Sequence, residues 1–163
     1  MSLLKPGTNV QSFVAPGLDG QTVSFEPGGD GPKVLVFYKV TCPTCQLGMP
    51  YFDRLYGAFA GRGVPFYAVV QDSPEAAVAF ADEYGITMPQ LTDIKPYPVS
   101  NAYKLMVVPT LFVVGSQARI ELVSAAFVKA DIEKAAELLA NAVGVETPRI
   151  FTPVDDAPAL KPG

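Results

Sequence analysis

The sequence predicts an α/β protein, and three observations carry that reading. Strand-length apolar runs occur at Lys33 to Lys39, Val64 to Val70 and Leu111 to Val114. Stretches with helical spacing of apolar residues alternate with them, near Gln46 to Ala60, Ser73 to Tyr84 and Ala130 to Val143. Cys42-Pro43-Thr44-Cys45 holds the only two cysteines and sits where a buried strand meets the first turn of a helix. A thiol placed there faces unpaired backbone N–H groups and the positive end of the helix dipole, both of which favour thiolate.

Taken in order, Val10 to Phe25 reads as two short extended pieces around Gly17-Leu18-Asp19-Gly20-Gln21, since Asp-Gly between extended residues signals a hairpin. A Gly- and Pro-rich loop, Pro27 to Pro32, feeds the run from Lys33, which is apolar on both faces as a central strand should be. The helix after Cys45 carries Met49, Phe52, Leu55, Tyr56 and Phe59 as one stripe, with Pro50 expected to kink it and Gly61 and Gly63 to end it. After the Val64 strand, Ser73 can cap a helix that has Pro74 at its first position, Ala77, Phe80, Ala81 and Tyr84 on its buried face, and Gly85 at its end. Met88 to Thr92 reads as a short peripheral strand, and Val99 to Leu105 as a short helix. Gly115 to Ala118 should turn the Leu111 strand into an antiparallel partner from Arg119 to Ala125. The last helix presents Ile132, Ala136, Leu139 and Val143, while Glu75 and Glu133 are expected as helix-start charges. Phe37, Phe52, Phe59, Phe66, Phe80 and Phe112 are assigned to core, and Tyr38 is ambiguous. From Glu146 onward the chain has four prolines and no periodicity, but Ile150, Phe151 and Val154 offer anchors for docking, with Asp155 and Asp156 expected in solvent.

Composition excludes several functions. At 163 residues with 49% apolar and 17% charged residues, the chain can bury the core of a single domain. A net charge of −4 and a pI near 4.7, with no basic cluster, argue against nucleic acid as a partner. Histidine is absent, which removes His-based catalytic triads and imidazole metal sites, and two cysteines alone cannot make a structural zinc site. No metal and no cofactor are expected. The apolar runs are too short to span a membrane. Met1-Ser2-Leu3-Leu4-Lys5-Pro6-Gly7 lacks the basic and apolar regions of a secretory signal, so the chain as written reads as cytoplasmic. If a leader or anchor has been replaced there, the reading becomes periplasmic or membrane-anchored.

The element order, with Cys42 to Cys45 at a helix start, Pro50 five residues past Cys45 and Val108-Pro109-Thr110 before a strand, resembles the thioredoxin fold. More specifically it resembles the redoxin branch that includes TlpA/ResA-like thiol-disulfide oxidoreductases. Lys5-Pro6-Gly7 through Phe13 to Asp19-Gly20-Gln21-Thr22-Val23 looks like the N-terminal hairpin of that branch. The resemblance runs from about residue 5 to 144. It implies a thioredoxin-like three-layer α/β/α sandwich with a central mixed sheet, an N-terminal β-hairpin and an inserted strand–helix between Val64 and Leu91. Residues 1–145 are then one redoxin domain and 146–163 a Pro-rich C-terminal tail.

The resemblance also implies a chemistry. Cys42 would attack a substrate disulfide and Cys45, one turn further in, would resolve the mixed disulfide. Val108-Pro109 would be cis, facing the dithiol, with the Val108 backbone pairing with the bound substrate chain. Thr41, Pro43 and Thr44 would flank the substrate. Partners would be protein thiols and disulfides together with an unidentified redox partner, and the chain is expected to act as a monomer.

Departures from the family's pattern bear on proton handling. Thr41 stands where an aromatic usually precedes the first cysteine, Val36 where plain thioredoxins have a buried acid, and Gly48 where ResA-type proteins have glutamate. Water, Lys39 or Asp72 are the remaining candidates for a relay. Other readings compete with exchange. A structural disulfide would close too short a loop to stabilise much. Thiol peroxidases of the redoxin scaffold need Pro-x-x-x-Thr-x-x-Cys, and counting back from Cys42 finds Lys39 and Leu35, from Cys45 Cys42 and Tyr38. A copper-handling module of the Sco type needs a histidine. A non-catalytic binding module would keep the fold with inert cysteines.

Overall fold

A computed structural model describes residues 3–163; Met1 and Ser2, part of the start read above for a signal, lie outside the described residues. Five strands form the central sheet: β3 (Lys33–Tyr38), β4 (Phe66–Val70), β5 (Gln90–Thr92), β6 (Thr110–Val114) and β7 (Ile120–Ala125). Their order is β5-β4-β3-β6-β7, with β3 parallel to β4 and antiparallel to β6, so the sheet is mixed. The hairpin β1 (Phe13–Pro16) and β2 (Thr22–Phe25) is a separate antiparallel pair, closed where the Gly17 N–H donates to Gln21 O at 2.8 Å.

β3 is central because both of its faces are apolar and each has a layer to bury against. Val34, Val36 and Tyr38 join one core cluster with the stripes of α1 (Pro43–Phe59), α2 (Pro74–Tyr84) and α4 (Lys129–Val143). Leu35 and Phe37 point the other way, into a second cluster with the hairpin and the short α3 (Pro98–Ala102). The six phenylalanines assigned to core are buried, and so is Tyr38, whose hydroxyl donates to Gln90 Oε1 at 2.5 Å. Ser73 caps α2 by accepting the Ala76 N–H, and Gly85 ends it with φ of 70°.

The structure departs from expectation at a few places. α3 stops at Ala102, short of Leu105, and begins after Tyr97, with the buried Asp93 carboxylate accepting the Val99 and Ser100 N–H groups at 3.1 and 2.7 Å. The first-turn acid of α4 is Asp131, which accepts from Ser124 Oγ at 2.8 Å; Glu133 lies beyond that turn. Val154 anchors nothing, being 90% exposed. Asp155 is not left to solvent: Arg54 of α1 grips both its oxygens, at 2.8 and 2.9 Å.

The tail docks. Ile150 and Phe151 are buried, and Phe151 packs with Tyr51 of α1 and with Phe127 of β8 (Phe127–Val128) at ring-centroid distances of 4.9 and 6.2 Å. Farther on, β9 (Leu160–Lys161) pairs antiparallel with β8. Residues 151 to 163 therefore retrace α1 from Tyr51 and Arg54 towards its N-terminus. No helix among the described residues is long and apolar enough to cross a membrane.

Candidate active site

The dithiol is built by the junction of β3 and α1. Cys42 is the N-cap of α1 with extended backbone (φ −82°, ψ 117°), and Pro43 takes the first helical position, where a missing N–H costs nothing. The Cys42 sulfur accepts the Cys45 N–H at 3.1 Å, the role a serine or aspartate oxygen has at an ordinary N-cap. The loop before it is fixed by the main chain and by Asp72: Cys42 N–H donates to Lys39 O at 3.4 Å, and Val40 N–H to Asp72 Oδ2 at 2.9 Å. Cys42 is partly exposed and Cys45 fully buried, both as free thiols.

Opposite stands the loop entering β6. The Val108-Pro109 bond is cis, as expected, and Val108 O lies 3.6 Å from the Cys42 sulfur. Pro109 is buried, its carbonyl accepting the Ala126 N–H at 2.8 Å. Thr41 and Pro43 are exposed at the rim. Thr44 is buried, and its hydroxyl donates to Pro162 O from the tail.

Electrostatics act on the buried thiol. Burial pushes the Cys45 thiol far above its ordinary value; the nearby Cys42 sulfur and Asp72 carboxylate add to this, while a hydrogen bond with the Lys39 backbone opposes it. Burial likewise raises the Tyr38 hydroxyl, with Asp72 and Cys45 contributing in the same direction. Asp72 is thus the carboxylate that the second sulfur senses. Of the sequence candidates for a relay, Lys39 supplies its carbonyl to the Cys42 N–H, and Asp72 accepts the Val40 N–H. Position 48 is closely packed, because a Cβ there would meet the Phe127 ring at 3.1 Å and the Phe52 ring at 3.3 Å.

Sequence reasoning missed the tail's part in this site. Pro162 and Gly163 reach Thr44 and Val108 through main-chain atoms, and no side-chain pattern announces such contacts. Among the described residues no group of His, Cys, Asp and Glu is arranged to hold a metal ion.

Comparison with known proteins adds lineage to this geometry. The family described as "AhpC/TSA family" matches residues 6–123. The curated thiol-disulfide oxidoreductase ResA of Halalkalibacterium halodurans is 31% identical over 120 residues, covering 73% of this chain and 68% of that protein. Among solved structures, a putative thiol:disulfide interchange protein DsbE from Chlorobium tepidum superposes with a TM-score of 0.75 at 21% identity, over 86% of this chain and 99% of that one. Peroxidoxin BcpB from Mycobacterium tuberculosis superposes with a TM-score of 0.67 at 22% identity, over 88% and 99%. These two structural likenesses speak to the fold alone.

Proposed function

The chain belongs to the AhpC/TSA family of thioredoxin-fold proteins, and on that premise we propose that it is a thiol-disulfide oxidoreductase acting through Cys42 and Cys45. The observation that carries this reading is the Cys42 sulfur itself. It sits at the N-cap of α1, accepts the Cys45 N–H at 3.1 Å and is the more accessible of the pair.

In the reducing direction the Cys42 thiolate attacks one sulfur of a protein disulfide. A Cys42–substrate disulfide forms, and the other substrate sulfur leaves as a thiolate that takes up a proton. Cys45 then gives up its proton and attacks the Cys42 sulfur, closing the Cys42–Cys45 disulfide and releasing the second substrate thiol. Two electrons pass from the dithiol to the substrate, and a separate redox partner resets the pair. The oxidising direction runs the same steps backwards.

Burial of Cys45 gives the order of events, because a thiol kept protonated waits until the mixed disulfide has formed beside it. Asp72 is assigned as the base that takes the Cys45 proton: the Val40 N–H holds its carboxylate at the site, and its charge acts on the Cys45 thiol. The Val108 backbone, beside the Cys42 sulfur, pairs with the substrate chain, and Pro109 walls the site; Thr41, Pro43 and Thr44 flank the approach. A single chain is the working unit. A peroxidase reading, prompted by the fold likeness to BcpB, lacks the Pro-x-x-x-Thr-x-x-Cys frame around either cysteine.

The test is reduction of insulin disulfides by the wild type, Cys42→Ser and Cys45→Ser. Cys42→Ser should lose turnover entirely, and Cys45→Ser should accumulate a mixed disulfide on Cys42 that mass spectrometry detects. Full turnover by Cys42→Ser, or rapid turnover of hydrogen peroxide in place of insulin, contradicts the proposal.

A further inference from the structure

The chain's own residues 159–163 border the site described above. β9 adds as a strand to the edge of β8, in the register Phe127 with Lys161 and Val128 with Leu160, and the Lys129 N–H donates to Ala159 O at 3.0 Å. Pro162 O then accepts the Thr44 hydroxyl. Gly163 lies so close to the loop before Pro109 that a Cβ on it would come 2.5 Å from Val108 O and 3.2 Å from Val107 Cβ. Only a residue without a side chain passes there. The same Val108 carbonyl is 3.6 Å from the Cys42 sulfur. One carbonyl therefore borders both the reactive sulfur and the docked segment.

We propose that β8, Thr44 and Val108 form a strand-addition groove for an extended peptide with a small residue opposite Val108, and that residues 157–163 fill it as a tethered occupant that the substrate chain must displace. The inference rests on the exchange reading, since it names how a protein substrate reaches that site. The chemistry of the contacts fits an exchangeable occupant. They are made by main-chain atoms, which any extended peptide can supply, and side-chain pockets contribute little. Leu160 is 60% exposed, so lifting the segment draws no large side chain out of the core. Phe151 among its aromatic neighbours and the Arg54–Asp155 pair lie upstream and keep the released segment nearby. A tether of this kind lets a weak segment compete well with a free peptide.

The experiment compares the rate of Cys42 alkylation by iodoacetamide in the reduced full chain with that in two tail variants. Lys161→Pro removes a main-chain donor from β9 and alters no residue of the dithiol or the core, and Gly163→Val sets a side chain against the Val108 backbone. Each should be alkylated roughly tenfold faster than the wild type, the shift expected from losing one or two hydrogen bonds that hold the segment closed. Hydrogen exchange at the Lys129 amide should accelerate in parallel. A synthetic peptide with the sequence of residues 157–163, Ala-Pro-Ala-Leu-Lys-Pro-Gly, should slow alkylation of Lys161→Pro back towards the wild-type rate.

Wild-type alkylation in variants whose Lys129 amide has become exposed overturns the proposal. So does Lys129 protection that persists in both variants with alkylation unchanged, because the tail contacts would then not set the segment's position. A fast variant that the peptide fails to slow overturns the groove. Alkylation reads access alone, so failure of the exchange reading would show separately, as a dithiol that does not titrate with glutathione.

Discussion

Two regions meet at the Val108 carbonyl, and they are held there by opposite means. The dithiol arrives from the interior: Cys45, Met49 and Phe52 of α1 are fully buried against β3, and the N-cap geometry of Cys42 follows from that packing. The tail arrives from outside: its last residues, 157–163, are held by a strand pair of two residues and one side-chain hydrogen bond, and its large buried side chains, Ile150 and Phe151, lie upstream with the Arg54–Asp155 pair. The reactive pair is thus rigid where exchange needs fixed sulfur positions. The segment beside it is held weakly enough to move. Stability is not spread evenly over such a site, and the weaker region is the one available for a change of partner.

Core truncation should give the largest difference between the two regions. Phe52→Ala leaves a void behind Gly48 and Phe127 and should cost about 3–5 kcal/mol, read from the denaturant midpoint. Val154→Ala, on the exposed turn of the tail, should stay within about 0.5 kcal/mol of the wild type. Equal losses at the two positions would erase the contrast.

A kinetic effect of intermediate size is expected at Asp72. In Asp72→Asn, resolution of a preformed Cys42 mixed disulfide should quicken about tenfold per pH unit across the neutral range, because burial keeps the Cys45 thiol protonated and hydroxide must then remove its proton. Asp72→Asn should slow that step by up to about 10²-fold, the lower end of general acid–base contributions. A variant that resolves the mixed disulfide as fast as the wild type, or faster, would contradict Asp72 as the base.

The smallest effect belongs to the clamp upstream of the tail. The Arg54 guanidinium, with help from the Thr152 N–H, holds the Asp155 carboxyl well below the usual carboxylate range. Its contribution to stability is therefore present above the ordinary carboxylate pKa and fades as pH falls through the depressed folded value. The pair is solvent-screened, so Arg54→Ala should lower the unfolding midpoint only slightly at neutral pH. The difference from wild type should shrink further on acidification. A difference that grows in acid would contradict this assignment.

The interior half of the site was legible in the sequence because its signals are local. Strand-length apolar runs, helical stripes, a Pro after Cys42 and the Val108-Pro109-Thr110 segment each carry their meaning within a few residues. Ser73, Pro74 and Gly85 marked both ends of α2 for the same reason. What stayed hidden depends on long-range partners. Gly48 is small because Phe127, far along the chain, packs on it, and Asp155 is paired because Arg54 lies on the helix it crosses. Val36 and Gly48 showed where a relay acid was missing, but the position of Asp72 beside the Val40 loop required the parallel alignment of β3 and β4. The tail was the least legible part, since its proline-rich composition has no periodicity and its contacts at the site are made by backbone.

The central claim is that Cys42 and Cys45 form one redox couple, and equilibration in a series of glutathione buffers tests it most directly. Alkylation of the quenched samples should show both thiols disappearing together in a single two-electron transition, lost in Cys42→Ser and in Cys45→Ser. Two cysteines that oxidise independently, or remain free thiols across the whole series, would contradict the account.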